Sequence, residues 1–342
     1  MNEYDHVRWQ ALAANYSGHS CAPNASFATF LSGSWYTLGS VCLLRSLRKA
    51  GNRCPVDLVY DDRARMLNIT GATRNFLERV YGAERLIPLS SLMVKHPTST
   101  SDMQYSLLHR SQGRRLYQLG VQLYATHSKI WLWALPRARV VLLDADMVVV
   151  GKLDWLNSLT LTEDVAAIDI SNRHTNASES KFNSGLMVIQ PSPRHIRNLT
   201  RVAVLARSPV GASGREAVPK MGEKHLGDQS LLNWYFRGTW KALPPSLVQT
   251  VHPKVRSITT RLQYSHVVLQ NESNVPAVIH WLSEPKPWSR KSGMRIDTKA
   301  WDLKANSRPS PHSRLWWSLC RDHLRDAPEE LLAKHAGGSL LG

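Results

Sequence analysis

Long apolar runs are missing from this sequence of 342 residues. No stretch reaches the roughly 18–20 apolar residues that a membrane span requires. Met1 to Gln10 are polar and hold no hydrophobic signal core, so as written the chain is expected to be soluble and cytoplasmic. Cysteine is scarce. Cys21, Cys42, Cys54 and Cys320 stand far apart and form no C-x-x-C pair, a pattern that indicates neither a zinc site nor a disulfide scaffold. Cys42 lies in an apolar helical stretch and is read as packing. Internal repeats and low-complexity tracts are also lacking.

Acidic residues are outnumbered, with 26 Asp and Glu against 43 Lys and Arg, a formal net charge of +17. Such an excess attracts nucleic acid, anionic membranes or phosphorylated ligands. Here it is dispersed over Arg45/Arg48/Lys49, Arg114/Arg115, Arg137/Arg139 and the stretch Arg290 to Arg325. No basic block has the aromatic interleaving of a nucleic-acid module. The expected partner is therefore an anionic substrate or surface, with no specific nucleic acid. One feature opposes a cytoplasmic reading. N-x-S/T sequons begin at Asn15, Asn24, Asn68, Asn176, Asn198 and Asn271, more than the roughly two expected by chance. They point to a Golgi or secretory lumen if an anchor precedes the chain.

The length suits one large α/β domain with a continuous core. Residues 1–24 read as a polar lead-in, 25–290 as the domain, and 291–342 as a basic helical C-terminal extension. Within the domain, Ser26–Leu31, Pro55–Tyr60 and Arg85–Leu89 read as strands. Trp35–Ala50 and Arg74–Tyr81 read as helices, with Gly51 and Gly82 as stops. This β-α-β-α-β alternation predicts a mixed, mainly parallel sheet flanked by helices. Residues 90–113 read as a long loop. From Leu116 to Ala134 the apolar positions recur as in an amphipathic helix. Further strands are expected at Arg139–Leu143, Val148–Val150, Asp164–Ile170 and Asn183–Gln190, with Ala277–Leu282 as the last core strand. Ser208–Gly227 reads as a loop, Gly227–Phe236 as a loop entering a helix, and Ser313–Leu324 as a helix. The two loops and the Trp-bearing tail are expected to shape an acceptor side.

The chemistry concentrates at Val140-Val141-Leu142-Leu143-Asp144-Ala145-Asp146. An apolar strand, buried on both faces, delivers two carboxylates to its end. Strand alternation would set Asp144 and Asp146 on one side. Ligands of parallel-sheet proteins bind at such carboxyl ends. Two adjacent carboxylates repel unless they share a cation, and Mg²⁺ or Mn²⁺ suits them and would bridge phosphate oxygens. The bland alternative is an acidic turn capping the next element. A haloacid-dehalogenase-like phosphatase would also use this pattern, with Asp144 as nucleophile. It needs a further acidic motif, and Gly227-Asp228-Gln229-Ser230-Leu231-Leu232 lacks the second Asp.

Several ordered segments carry a resemblance: Asp144-Ala145-Asp146, Phe182-Asn183-Ser184-Gly185-Leu186-Met187-Val188, Gly227-Asp228-Gln229-Ser230-Leu231-Leu232-Asn233 and Val278-Ile279-His280-Trp281-Leu282, then Lys286-Pro287-Trp288. Tyr36-Thr37-Leu38-Gly39 and Thr126-His127-Ser128-Lys129 precede them. Over about residues 25 to 290, the chain resembles glycosyltransferase family 8, the glycogenin-like retaining enzymes. The resemblance implies a GT-A type fold, a UDP-sugar donor, and Mn²⁺ or Mg²⁺ held by Asp144, Asp146 and His280. A ring nitrogen beside carboxylates favours Mn²⁺. It further implies Lys286 on the diphosphate, Asp228 and Gln229 in catalysis at the sugar, and Lys129, Asp169, Asn183, Ser184 and Gly185 on the donor. Thr29 and Tyr36 match the base-and-ribose side. Ser283 stands where the family often has Gly. No tyrosine convincingly matches the self-glucosylated residue of glycogenins, and the surroundings of Tyr264 differ, so the chain is not read as a glycogenin. The acceptor is unidentified (glycan, protein, lipid or small molecule), a homodimer is compatible with the resemblance, and a non-catalytic sugar-binding relative is the other alternative.

Overall fold

The computed structural model describes residues 21–31, 36–62, 71–95, 128–171, 180–205, 227–251, 276–282, 286–289, 294–297, 302–305 and 311–328. Its strands are β1 (Ala25–Leu31), β2 (Val56–Tyr60), β3 (Leu86–Pro88), β4 (Arg139–Leu143), β5 (Met147–Val149), β6 (Val165–Asp169), β7 (Phe182–Ile189), β8 (Trp240–Leu243), β9 (Val248–Val251), β10 (Val278–Trp281), β11 (Met294–Asp297) and β12 (Asp302–Ala305). The helices are α1 (Thr37–Lys49), α2 (Gly71–Tyr81), α3 (Leu89–Lys95), α4 (Pro193–Leu205), α5 (Asp228–Tyr235) and α6 (Pro311–Cys320).

Seven strands form the main sheet in the order β3-β2-β1-β4-β7-β6-β8. β1 pairs parallel with β2 and β4, β2 with β3, and β6 with β8, while β7 runs antiparallel to both β4 and β6. The sheet is mixed and mainly parallel, as the alternation of elements predicted.

Alternation along each strand builds two cores. Val141 and Leu143 of β4 face one side with Phe27, Leu58, Leu186 and Val188, under α1, α2 and α6. Val140 and Leu142 face the other, with Val59, Met187 and Ile189, under α3, α4, α5 and the 3₁₀ turn Ser128–Ala134. The continuous apolar run of β4 follows from burial on both faces. Beside the main sheet, β5, β10 and β9 make a three-stranded sheet, with β10 antiparallel to β5 and parallel to β9.

Several expectations change. Residues 90–95 are helical rather than loop, and Leu89, expected to end a strand, begins that helix. Residues 96–127 lie outside the described residues, and with them most of the expected amphipathic helix. What is described of that segment is a 3₁₀ turn whose Ile130, Trp131, Leu132 and Trp133 are all buried, so no polar face is needed there. After β10, the β11–β12 hairpin forms a separate two-stranded sheet. β8, β9 and α4 were not anticipated.

The cysteines overturn the sequence expectation outright. Cys21 joins Cys54 and Cys42 joins Cys320 in disulfides, with sequence separations of 33 and 278 residues. Spacing alone carries no connectivity. The second bond ties α6 to α1. Trp316 and Trp317 of α6 are buried in the core rather than presented to an acceptor. Trp316 packs against Trp288 (ring centroids 5.0 Å), and Trp317 Nε1 donates to Pro287 O at 3.1 Å.

At the amino ends of the parallel strands, the wholly buried Asp57 accepts from Ser26 Oγ (2.8 Å), from Arg85 Nη1 (3.0 Å) and twice from Arg137 (2.8 and 3.0 Å). Asp57→Ala strips two guanidiniums of their carboxylate. We expect a loss of about 3 kcal/mol, toward the low end for a broken buried pair because both arginines keep some solvent. Urea denaturation reads it, and a midpoint equal to wild type would show that the network contributes nothing.

Candidate functional site

Asp144 follows the last residue of β4, and Asp146 precedes the first of β5. The pair therefore sits in a turn, closed by the Met147 N–H on Asp144 O at 3.1 Å. The two carboxylates converge through this turn, not through strand alternation as expected. The turn is anchored on one side by the Asp144 N–H, which donates to Gly185 O at 2.9 Å, and on the other by the Trp281 N–H, which donates to Asp146 O at 3.1 Å.

β10 brings His280 level with Met147, which sets its ring beside the turn. His280 Nε2 lies 3.2 Å from Asp146 Oδ1 and 3.9 Å from Asp144 Oδ2. One ligand atom from each of Asp144, Asp146 and His280 falls within 4.8 Å of the others. Asp146 Oδ1 is buried and accepts no hydrogen bond, although the imidazole nitrogen faces it. An unbonded carboxylate oxygen opposite a ring nitrogen, inside the protein, is an arrangement that a shared cation satisfies. The donor set of two carboxylates and one imidazole can hold a divalent metal.

Two lysines complete the cluster. Lys286 Nζ bonds Asp146 Oδ2 at 2.7 Å and Trp281 O at 2.9 Å. Lys129 Nζ bridges Asp144 Oδ1 and Asp228 Oδ2, each at 2.7 Å. Both residues are buried, so neither is the solvated surface lysine that its sequence surroundings allowed. Burial alone would lower the Lys129 ammonium, but Asp144 and Asp228 outweigh it and raise its pKa. Burial pushes Asp144 upward, and Asp146 adds to this against the opposing pull of Lys129. Asp146 is also pushed up by burial, yet His280 and Lys286 more than offset this and hold it well below the usual carboxylate range. The two acids of one motif thus differ in character.

Asp228 is the first residue of α5, and Gly227 is the capping position. Its carboxylate goes to Lys129 and to Ser184 Oγ (3.0 Å) instead of capping the helix. Gln229 Oε1 accepts from Asn183 Nδ2 and from Ser184 N, both at 3.2 Å. Asn183 Oδ1 accepts from Gly185 N at 2.9 Å. Asp144, Asp146, His280, Lys286, Lys129, Asp228, Gln229, Asn183, Ser184 and Gly185 are therefore brought together at the ends of β4, β7 and α5. Asp169 ends β6 level with Phe182; its carboxylate is exposed and accepts from Ser171 N at 2.7 Å, apart from the cluster. Thr29 is buried in β1, one residue beyond the Ala28–Leu142 pairing, with no partner for its hydroxyl. Tyr36 begins α1 edge-on to Trp288. Ser283 lies outside the described residues, as do Thr126, His127 and Tyr264.

Sequence reasoning missed two supports. Asn233, four residues after Gln229 and so on the same helix face, accepts from Phe182 N (2.7 Å) and donates to Phe182 O (2.8 Å). It staples α5 to β7. Gly39 of α1 lies so close to the turn that a Cβ there would meet Ala145 O at 2.3 Å. Both residues stood in the quoted motifs, but only the fold shows what they touch.

The mixed sheet with an acidic turn at the end of β4 is the architecture of the GT-A type fold. The Glycosyl transferase family 8 model matches residues 83–292, and the chain belongs to that family. Membership decides against the phosphatase reading of Asp144. Glycosyltransferase GlyF of Streptococcus pneumoniae is 26% identical over 164 residues, covering 48% of this chain and 37% of that protein. Glycosyltransferase GlyB of the same organism is 24% identical over 165 residues, covering 48% and 38%. The chain thus spans less than two fifths of the length of these curated relatives. In fold it is similar to the bifunctional glycosyltransferase WbbM (TM-score 0.53, 13% identity, 93% of this chain and 53% of that one). It is likewise similar to an active-site mutant of LgtC (TM-score 0.51, 14% identity, 89% and 98%).

A Cβ at Gly185 would stand 2.4 Å from His280 Cε1 and 2.8 Å from Asn183 Oδ1. Gly185→Ala should therefore displace the imidazole and weaken divalent-metal binding by about 10- to 100-fold, with circular dichroism unchanged. Titration calorimetry with Mn²⁺ checks this, and unaltered affinity would mean that His280 does not serve the metal.

Proposed function

We propose that the chain transfers a hexosyl group from a UDP-sugar to an acceptor hydroxyl with retention of anomeric configuration. The observation that carries this reading is the juxtaposition of the Asp144/Asp146/His280 set with the buried Lys286. A place for a divalent cation and a fixed ammonium together suit a diphosphate. With Lys129 the site holds three carboxylates against two ammoniums, one net negative charge when His280 is neutral. A divalent cation reverses that sign and makes the site receptive to an anionic donor.

Asp144, Asp146 and His280 would hold the metal, Mn²⁺ by the presence of imidazole. When bound, it would supply Lewis-acid stabilisation of the diphosphate oxygens. The remaining work falls to the chain. As the bond between the anomeric carbon and the diphosphate breaks, the leaving UDP gains charge, and the Lys286 ammonium is positioned to oppose it. Asp228 and Gln229, at the start of α5, offer a carboxylate and an amide to sugar hydroxyls, with Asn183 and Ser184 alongside. Lys129 bridges Asp144 and Asp228 and so fixes the orientation of both carboxylates. Thr29 and Tyr36 take the nucleoside side. Balance is kept when the acceptor oxygen bonds the anomeric carbon and its proton leaves toward the departing UDP.

The test is UDP release from a panel of UDP-sugars with and without Mn²⁺. Asp146→Asn should lower metal-dependent release at least about 100-fold; activity equal to wild type would sink the metal assignment. Lys286→Met, which keeps the apolar stem, should reduce kcat about 100- to 1000-fold and leave KM for the donor nearly unchanged. A rise confined to KM would make Lys286 a binding group only. Donor binding without turnover on any acceptor or on water would turn the reading to a sugar-binding relative.

A further inference from the structure

The four cysteines are all paired, with Cα–Cα distances of 5.0 Å for Cys21–Cys54 and 5.4 Å for Cys42–Cys320, and none is free. Structural disulfides persist in oxidising compartments and are rare where glutathione keeps thiols reduced. Two of the sequons fall on described residues, and both asparagines are exposed. Asn24 lies at the amino edge of β1, in a turn with φ 54°, its carbonyl accepting the Ala138 N–H at 2.9 Å. Asn198 is on the outer face of α4, whose Ile196, Leu199, Val202 and Ala203 are buried.

Neither position crowds the acid turn. Asn24 precedes the Ala25–Arg139 pairing, and Asp144 is five residues further along β4, so about 17 Å of strand separates the two ends. Asn198 projects away from the sheet that α4 covers. A bulky glycan at either place would shield surface without closing the site.

We propose that Asn24 and Asn198 are N-glycosylated and that the chain folds in an oxidising secretory lumen. The donor would be an oligosaccharide on a lipid pyrophosphate. Asn Nδ2 bonds the anomeric carbon and loses one proton; the carbon–oxygen bond to pyrophosphate breaks, and the lipid pyrophosphate departs with the electron pair. Each disulfide forms as two thiols give two protons and two electrons to a disulfide-bearing oxidoreductase, which leaves as its dithiol. The hydroxyls of both sequons set the order of events. Ser26 Oγ is buried and donates to Asp57 Oδ2 at 2.8 Å, and Thr200 Oγ1 is buried and donates to Ile196 O at 2.8 Å. Both are sealed in the folded chain, so the sugar is added before β1 and α4 form. The proposal does not depend on the donor or the acceptor of the transferase reaction.

The full chain isolated from the cells that make it provides the test. After peptide-N-glycosidase digestion in heavy-oxygen water, peptide mapping should find Asn24 and Asn198 converted to heavy-oxygen-labelled Asp. All four cysteines should resist alkylation until reduced. Either asparagine recovered unmodified, or any of the thiols alkylated without reduction, would overturn the proposal. Asn24→Gln and Asn198→Gln should each remove one glycan from the intact mass while UDP-sugar turnover is unchanged. A chain folded first and then mixed with microsomes should gain no glycan; modification at that stage would refute the order of events.

Discussion

The pairing of β10 against β5 is the contact on which the site depends. β5 begins one residue after Asp146, and the register sets His280 opposite Met147. The backbone bond from Trp281 N to Asp146 O extends the same ladder into the acid turn. Because strand side chains alternate, a slip of one residue would send the imidazole to the opposite face. β5 is held from its other side as well, since Val149 N donates to Ser46 Oγ of α1 at 3.0 Å. The chain leaving β10 then returns Lys286 to Asp146. The short sheet thus delivers the imidazole, and Trp281 O at its end holds the ammonium of Lys286.

The charges at the site form an alternating file: Lys286, Asp146, His280, Asp144, Lys129 and Asp228. Every carboxylate in it has a cation or an imidazole beside it. Such an arrangement is poor evidence for stability, because withdrawing these groups from water costs about as much as their attraction returns. What the file does offer is a set of fixed charges into which an anionic ligand and its metal can be received with little rearrangement, and that is the form of stabilisation most useful in a low-dielectric site. The opposite shifts of Asp144 and Asp146 follow from place in the file: burial pushes both upward, but Asp146 lies between His280 and Lys286, which outweigh it, while Asp144 shares Lys129 with Asp228.

Local patterns were legible and distant pairings were not. The run Val140–Leu143 announced a strand buried on both faces, and its alternating residues do divide between the two cores. The strand around Asn183 was legible as an apolar run that stops before Pro191, and the start of α5 by the Gly227 that precedes it. The disulfides were misread because Cys42 and Cys320 are 278 residues apart and nothing in either neighbourhood refers to the other. Lys129 could be assigned to the donor by resemblance, but its bridge between Asp144 and Asp228 arises only when β4, α5 and the turn before β4 meet. Strand alternation gave the right convergence of Asp144 and Asp146 for the wrong reason, since a turn and not a pleat brings them together.

The carboxyl-terminal helix illustrates how far from the chemistry a positioning contact can lie. Trp316 and Trp317 read as a basic tail's surface aromatics, yet they pack beneath the segment that carries Lys286. Trp317 holds Pro287 O, and Trp316 meets the ring of Trp288. Trp288 in turn reaches Gly39, where a Cβ would come within 2.7 Å of its ring, and Gly39 lies directly under the Ala145 carbonyl. Small residues are required along this line because backbone and indole meet without intervening side chains. The disulfide from Cys320 to Cys42 ties the same helix to α1 from the far end. The acid turn, the lysine and α6 are therefore one packed unit, and displacement of any of them would be felt at Asp146.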